Sequence, residues 1–495
     1  MDDWLAARAS ASPLALALII GERQWTYAEL HALVSGMASY LASHVQPGQL
    51  VAVLLPNNLA YVCLIHALAR IGAILVPLNT RLSNRELSWQ LDHTDCKLLI
   101  TSEEMADQAL ILAAEGRRLL WAQKLLERAR TDHSSYMGHF RLENEQAIVF
   151  TSGTSGRPKG AVLTFANHFW SATASAFRLG VEHHDRWLCC LPLFHVGGLA
   201  IILRSCLYGT AVILHDRFEV QAVSRSLDIQ DVTLISLVPT MALRLLDFRA
   251  GRPWPASLRH LLLGGAAAPL ELLTRCRDLQ IPLSTTYGLT EASSQVATMG
   301  PDHTWQKPGS VGRPLIFTSV QIIDDSGQAV PAGNMGEIVV SGPTVMQEYY
   351  KDEQATAFSI RNGCFHTGDI GYLDEEGDLW LVQRREDIII SGGENVYPAE
   401  VERVLMGHPS VAAACVAGIP HREWGQQVAA MITRYDDNPL TEEELRAYCR
   451  DNLAGYKLPR IWLFVDRIPQ TASGKIHRQQ VAEKIRQASA PAPKN

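Results

Sequence analysis

TSGTSGRPKG, residues 151–160, is the stretch that decides how this chain is read. It combines three glycines, four hydroxyl residues and an Arg-Pro-Lys triplet. Glycine takes positive φ and lets backbone approach a ligand closely. Successive exposed N–H groups then form an anion nest. Ser and Thr hydroxyls add short donors, and Lys159 adds a mobile point charge. Together these groups suit a polyphosphate. The spacing is not that of the Walker loop, GxxxxGK[ST]: Gly153 and Gly156 stand too close together, and Lys159 is followed by Gly160. A flexible surface loop is the bland alternative. The strand-like AIVF (147–150) before it and the apolar turn AVL (161–163) after it point to a built phosphate loop.

Around this loop, 495 residues exceed one ordinary core, so two or more domains are expected. With 47% hydrophobic and 19% charged residues the composition is that of a soluble globular protein. A net charge of −7 gives no reason to expect nucleic acid, and a polyphosphate must be met by local positive groups. Nine cysteines in no regular spacing, with an adjacent Cys189-Cys190 pair, fit a reduced cytoplasm. No clustered Cys/His set suggests zinc. The acidic start, MDDWLAARAS, is unlike a signal peptide. The apolar stretch 196–214 contains Arg204 and glycines, so no membrane span is expected.

Upstream of the loop, VAVLLP (51–56), a helical apolar face over 58–71 and AILVPL (73–78) give a βαβ rhythm, hence a parallel sheet with covering helices. Downstream, RWLCCLPL (186–193), TLISLVP (233–239) and LRHLLLGG (258–265) read as further strands. Ligands of open α/β sheets sit beyond the carboxyl ends of strands, so Gly264-Gly265 and Tyr287-Gly288 are candidate walls of one site. From about Val320 the pattern changes to short strands and tight turns, Glu376-Gly377-Asp378 among them. A last α+β unit holds helices over 398–406 and 441–453 and strands over 411–416 and 461–465. The tail ASAPAPKN (488–495) is expected to be disordered.

Several motifs carry chemistry. In YGLTE (287–291), Glu291 is a candidate Mg²⁺ ligand, since Mg²⁺ takes few carboxylates beside phosphate oxygens. A helix start capped by Thr290 explains the same residues. Asp369, in the polar turn HTGDIG (366–371), can accept from both ribose hydroxyls; an Asx-turn is the alternative. RRED (384–387) reads as a linker or hinge. SGGENVYPAEVE (391–402) joins two glycines to a Pro-led helix, and PQTASGKIHR (469–478) places Lys475 after a glycine.

In this order and spacing the motifs resemble the adenylate-forming superfamily of acyl-CoA synthetases, luciferases and peptide-synthetase adenylation domains, from about Trp25 to Arg478. The resemblance implies a large α/β N-terminal domain, 1–384, of parallel-sheet subdomains plus a small β-rich subdomain. A small mobile α+β domain, 385–488, and a tail, 489–495, follow. It implies ATP, Mg²⁺ and coenzyme A as cofactors and co-substrates, a small carboxylic acid as partner, a cytoplasmic setting, and compatibility with a homodimer. By resemblance, Thr151, Ser152, Gly153, Thr154, Ser155 and Lys159 hold the β- and γ-phosphates. Gly264, Gly265 and Ala266 line the adenine region beside Tyr287 and Gly288. Thr290 meets the α-phosphate, Glu291 the Mg²⁺, and Asp369 and Arg384 the ribose. Lys475 bridges the reacting carboxylate and the α-phosphate, and a hinge at Glu386 then presents Gly392, Gly393 and Glu394 to the thiol.

His195 in LPLFHVGG (191–198) looks like the family's pocket histidine. In the following helix Gly197, Ile201 and Arg204 share one face. A buried guanidinium needs a partner, either a protein carboxylate or the substrate. LPLFHVGG with Arg204, LVPTMALRLL (237–246) and LLLGGAAAP (261–269) resemble one branch of the superfamily, the o-succinylbenzoate–CoA ligases of menaquinone biosynthesis, whose substrate carries a second carboxylate. A fatty- or aryl-acid CoA ligase, an adenylation enzyme loading a carrier protein, and a non-catalytic nucleotide binder are the alternatives.

Overall fold

The computed structural model describes residues 3–132, 136, 138–152, 158–383, 388–435, 440–469 and 478–489. The chain forms two compact units. One comprises Met1–Thr80, Leu91–Phe150 and Gly160–Gln383; the other comprises Arg81–Gln90, Thr151–Lys159 and Arg384–Asn495.

In the first unit the βαβ rhythm becomes a six-stranded sheet, ordered Arg118–Trp121, Leu98–Thr101, Leu50–Leu54, Ile74–Pro77, Glu145–Ser152 and Pro158–Thr164. The first five of these pair in parallel. The expected helix follows Leu50–Leu54 as Leu59–Arg70, started by Asn58, whose side chain accepts from the Tyr61 N–H. The apolar turn expected at 161–163 is instead part of the strand Pro158–Thr164. Ala161, Val162 and Leu163 are fully buried there, so a run too short to show a period packs as a core strand.

A second sheet of the same unit has 14 described strands. One half is parallel, through Leu16–Ile20, Ala211–Leu214, Arg186–Cys189, Leu234–Leu237, His260–Leu263 and Leu283–Leu289. The other half is antiparallel and holds the short strands after Val320. The β-rich region is therefore not a separate sheet. Leu283–Leu289 belongs to both halves: it pairs in parallel with His260–Leu263 up to Thr285, then antiparallel with Ser294–Thr298 from Thr286.

The second unit is built on a five-stranded sheet. Its strand Val411–His421 alternates, so that Ala414 and Val416 face Val401, Leu405, Leu445 and Cys449 of the helices Pro398–Met406 and Glu442–Arg450. Cys415 and Ala417 face Val481 and Ile485 of a helix the sequence reading did not include, Arg478–Ser489. That helix takes in 488 and 489, the start of the expected tail; residues 490–495 lie outside the described residues. All nine cysteines are free thiols, eight of them buried. Among the described residues no helix is long and apolar enough to cross a membrane.

Candidate nucleotide and acid site

The change of strand direction creates the first part of the site. Where Leu283–Leu289 leaves its parallel neighbour, the chain after His260–Leu263 turns away as Gly264-Gly265-Ala266. A Cβ on Gly264 would lie 2.8 Å from Thr286 Cγ2, and Gly265 adopts φ +80°. Two residues further along the shared strand, a Cβ on Gly288 would sit 1.8 Å from the Ser294 carbonyl oxygen, so only glycine fits. The pairing shifts register between Tyr287 and Gly288.

Tyr287, 1% exposed, donates its hydroxyl to Asp369 Oδ2 at 2.6 Å. Two residues 82 apart in sequence, assigned separately to adenine and ribose, thus form one unit. HTGDIG is not a turn between strands, as expected, but lies inside one strand, Cys364–Leu373. Glu337 pairs with Ile370 while Val339 pairs with His366, so two extra residues are accommodated as a bulge, with Gly368 at φ +71°. Thr367 donates its hydroxyl to the Ile338 carbonyl (2.7 Å) and accepts from the Asp369 N–H (3.0 Å). Glu337 Oε1 accepts from the Gly368 N–H at 2.9 Å, and Oε2 lies 3.2 Å from His366 Nδ1. Bulge, threonine and glutamate together aim Asp369.

Thr290 and Glu291 stand in a short 3₁₀ turn, Thr290–Ala292, whose N-cap is Leu289. Thr290 therefore does not cap a helix. Ser293 and Ser294, both at positive φ, reverse the chain after it. Glu291 Oε1 accepts from the hydroxyl of Tyr349 at 2.8 Å, and the Glu291 carbonyl accepts from the Met346 N–H at 2.8 Å. The same segment binds the strand that leaves the phosphate loop: Gln347 N–H to Val162 O (3.0 Å), Val162 N–H to Glu348 O (2.9 Å) and Tyr350 N–H to Gly160 O (2.7 Å). Tyr349 belongs to no motif in the sequence reading. Its signal was only the apolar-aromatic stretch between two motifs.

The phosphate loop joins two neighbouring strands, Glu145–Ser152 and Pro158–Thr164. Thr151 and Lys159 are half-buried at its two ends. Ser152 ends the first strand. Gly153, Thr154 and Ser155, together with Arg384, Glu386 and Lys475, lie outside the described residues.

In the second unit Gly392 and Gly393 form the two-residue loop of a hairpin in which Ser391 faces Glu394, with φ +61° and +85°. Positive φ at both loop positions is what a type I′ turn requires, so the turn alone accounts for both glycines. The Glu394 carboxylate, 4% exposed, is 2.9 Å from Arg81 Nη1.

The acid side is organised by a residue the sequence reading passed over. Asn57, buried after the strand Leu50–Leu54, donates to the carbonyls of Leu191 (2.9 Å) and His215 (3.1 Å) and accepts from the Leu193 N–H (2.8 Å). It fixes the loop that delivers His195 to the N-cap position of the helix Val196–Tyr208. The close approach that needs glycine is at Gly198, where a Cβ would meet the Pro192 carbonyl oxygen at 2.2 Å; a Cβ on Gly197 would make ordinary contact. Arg204, 3% exposed, donates from Nη2 to the Ser171 hydroxyl at 3.0 Å, and its Nε has no partner. Among the described residues it has no carboxylate partner. Ser171 donates its own hydroxyl to the Ser293 carbonyl at 2.6 Å, two residues beyond Glu291. Burial pulls the Arg204 guanidinium below its ordinary value. Burial, then Arg204, pushes the neighbouring His168 down to about 3, so His168 is neutral and Arg204 is the charge of this wall.

The site thus offers a ribose-type acceptor at Asp369, a carboxylate at Glu291 tied to the strand that leaves the phosphate loop, and a buried cation at Arg204. One carboxylate shared with nucleotide phosphates suits Mg²⁺, which keeps water and phosphate ligands and needs no all-protein cage. Each carboxylate oxygen has more than one lone pair, so the bond from Tyr349 and a metal can be accepted together.

The fold and this constellation define an adenylate-forming class of protein. The chain belongs to the AMP-binding enzyme family: residues 5–350 match the AMP-binding enzyme domain, and residues 400–475 match the AMP-binding enzyme C-terminal domain. It is 42% identical over 480 residues to a 2-succinylbenzoate–CoA ligase of Bacillus licheniformis, covering 97% of this chain and 99% of that one. Among solved structures it is similar to o-succinylbenzoate CoA synthetase of Bacillus subtilis. A double mutant of that protein bound with its product analogue OSB-NCoA is 40% identical, with TM-score 0.93 over 98% of both chains. The same protein in complex with ATP and magnesium ion is 39% identical, with TM-score 0.74 over 97% of this chain and 99% of that one.

Proposed function

We propose that this chain is an AMP-forming 2-succinylbenzoate–CoA ligase of menaquinone biosynthesis. It converts 2-succinylbenzoate, ATP and CoA into 2-succinylbenzoyl-CoA, AMP and diphosphate. The observation that carries the reading is the match along 97% of the chain to a relative of that name. Arg204 supports the acid: a buried cation with no described carboxylate suits a substrate with a second carboxylate.

A carboxylate is a poor acyl donor because oxide would have to leave. Adenylation replaces that leaving group by AMP. The acid oxygen attacks the α-phosphorus in line and diphosphate departs; the CoA thiol then attacks the acyl carbon and AMP departs. In this reading Asp369 fixes the ribose and Gly264, Gly265, Ala266, Tyr287 and Gly288 the adenine. Thr151, Ser152, Gly153, Thr154, Ser155 and Lys159 hold the β- and γ-phosphates, Thr290 the α-phosphate, and Arg384 makes a second ribose contact. Glu291 would hold Mg²⁺, which would supply charge neutralisation on the phosphates. His195 and Arg204 hold the acid, Arg204 through the carboxylate that does not react. Lys475 neutralises charge where acid oxygen meets phosphorus, so it acts on the transition state more than on binding. The Gly392-Gly393-Glu394 hairpin serves the thiol step.

The proposed domain division is 1–384 and 385–488, the latter mobile between half-reactions, with 489–495 as tail. Cytoplasmic location and a homodimer complete the proposal, and light scattering separates dimer from monomer.

The test is diphosphate release across an acid panel. 2-Succinylbenzoate should exceed fatty, coumaric and benzoic acids, and Arg204→Ala should raise KM for the diacid alone. Equal turnover of mono-acids contradicts the acid assignment. Transfer to a carrier protein in preference to CoA would favour the carrier-loading alternative.

A further inference from the structure

We infer that Tyr349 is a positioning residue: its hydroxyl sets the Glu291 carboxylate for the Mg²⁺ that accompanies ATP. The inference rests on the proposed function for the identity of metal and nucleotide, and on geometry for the role of Tyr349.

Glu291 has little local structure to hold it. It sits in a three-residue 3₁₀ turn, half-buried, with no capping side chain. Residues 346–350 hold it at two points. Met346 holds its main chain at 2.8 Å and Tyr349 its side chain at 2.8 Å. Tyr349 is itself fixed. It is 4% exposed, its ring lies in the main core, its N–H donates to Thr356 Oγ1 at 3.0 Å, and its backbone bridges Ala161. Residues 347, 348 and 350 are hydrogen-bonded to Gly160 and Val162, on the strand leaving the phosphate loop. One segment therefore sets both the metal carboxylate and the exit of the phosphate loop.

This coupling matters for Mg²⁺ in particular. Mg²⁺ demands near-ideal octahedral geometry and is shared between carboxylate and phosphate oxygens. A ligand carboxylate free to rotate would lose that geometry. A phenol donating to the carboxylate restricts the rotation, as partners behind a ligand do in other metal sites. The ring alone explains the burial of Tyr349; it does not explain a hydroxyl aimed at Glu291. Tyr349→Phe keeps the ring and removes the hydroxyl, so it separates packing from positioning.

The experiment follows 2-succinylbenzoate-dependent exchange between diphosphate and ATP at varied free Mg²⁺. Mn²⁺ binding in the presence of ATP, read by electron paramagnetic resonance, gives a readout independent of turnover. Tyr349→Phe should raise the half-saturating metal concentration about tenfold in both. Affinity for AMP and the Tm should stay at wild-type values. In a Glu291→Gln background the same change should add nothing, because its route of action is gone. Wild-type metal dependence in Tyr349→Phe overturns the inference. So does an equal effect with and without Glu291, and so does a Tyr349→Phe protein that fails to fold, since the hydroxyl would then be structural. Absence of exchange in the wild type with every acid counts against the proposed function instead, and the Mn²⁺ measurement still decides the role of Tyr349.

Discussion

Asp369 and Glu291 are two carboxylates that each accept a hydrogen bond from a buried tyrosine, yet they are supported differently. Asp369 lies in a ten-residue strand, is 9% exposed, and receives Tyr287 at 2.6 Å. Thr367 holds its N–H, and Glu337 holds the bulge that turns it inward. Glu291 lies in a three-residue turn and receives the Tyr349 hydroxyl at 2.8 Å. The main chain that carries the first carboxylate is fixed within its own sheet. The second is met by a segment that also binds the strand starting at Pro158. In the proposed function, Asp369 as a ribose grip serves every nucleotide state and gains from rigidity, whereas Glu291 as a metal ligand must stay matched to the phosphates.

Exchanging the carboxylates themselves should break the comparison most strongly. Glu291→Gln should lower acid-dependent exchange about 100-fold while AMP binding is kept, because its role needs metal and phosphates. Asp369→Ala should weaken AMP and ATP alike, about 10-fold to 100-fold, the range for losing hydrogen bonds to a charged group. Calorimetry with AMP, free of Mg²⁺, separates the two. If both variants lose AMP equally, the division of roles is wrong.

The fixed main chain around Asp369 predicts a smaller effect for its tyrosine. Tyr287→Phe removes one of several supports and should weaken AMP by about threefold, roughly 0.7 kcal/mol, within the range of one neutral hydrogen bond. A loss as large as that of Asp369→Ala would mean that the tyrosine alone sets the carboxylate.

Much of this was legible in the sequence, and the rest was not for identifiable reasons. Tyr287, Glu291 and Asp369 stand in ordered motifs, so their presence could be read. That Tyr287 and Asp369 touch could not, because it depends on one strand pairing in parallel on one side and antiparallel on the other. The HTGDIG stretch read as a turn because Gly and Asp are turn residues; a bulge uses the same residues for the same positive φ. Tyr349 and Asn57 were passed over because neither residue type is distinctive without its partners. The helix Arg478–Ser489 offers only Val481, Ala482 and Ile485 as an apolar face, too little for a clear helical period.

A pH effect on stability, without bearing on nucleotide affinity at neutral pH, separates the site from its scaffold. Burial lowers His66 to about 4 and His168 to about 3, from 6.5. Both are depressed, so the unfolded chain binds protons that the folded one does not. Their contribution is intact above pH 6.5 and is lost as pH falls toward 4 and 3. Each histidine should cost about 1.4 kcal/mol per pH unit in its window. Denaturant melts between neutral and acid pH check this, and His66→Gln should flatten the slope by about one proton. An unchanged slope would show that His66 titrates normally.

Label exchange between diphosphate and ATP, driven by 2-succinylbenzoate, tests the central claim most directly when wild type and Lys475→Ala are compared. Exchange in the wild type, reduced about 100-fold or more in the variant with ATP still bound, is the expected result. Wild-type protein that exchanges no label with this acid, or a variant that exchanges it undiminished, would contradict the account.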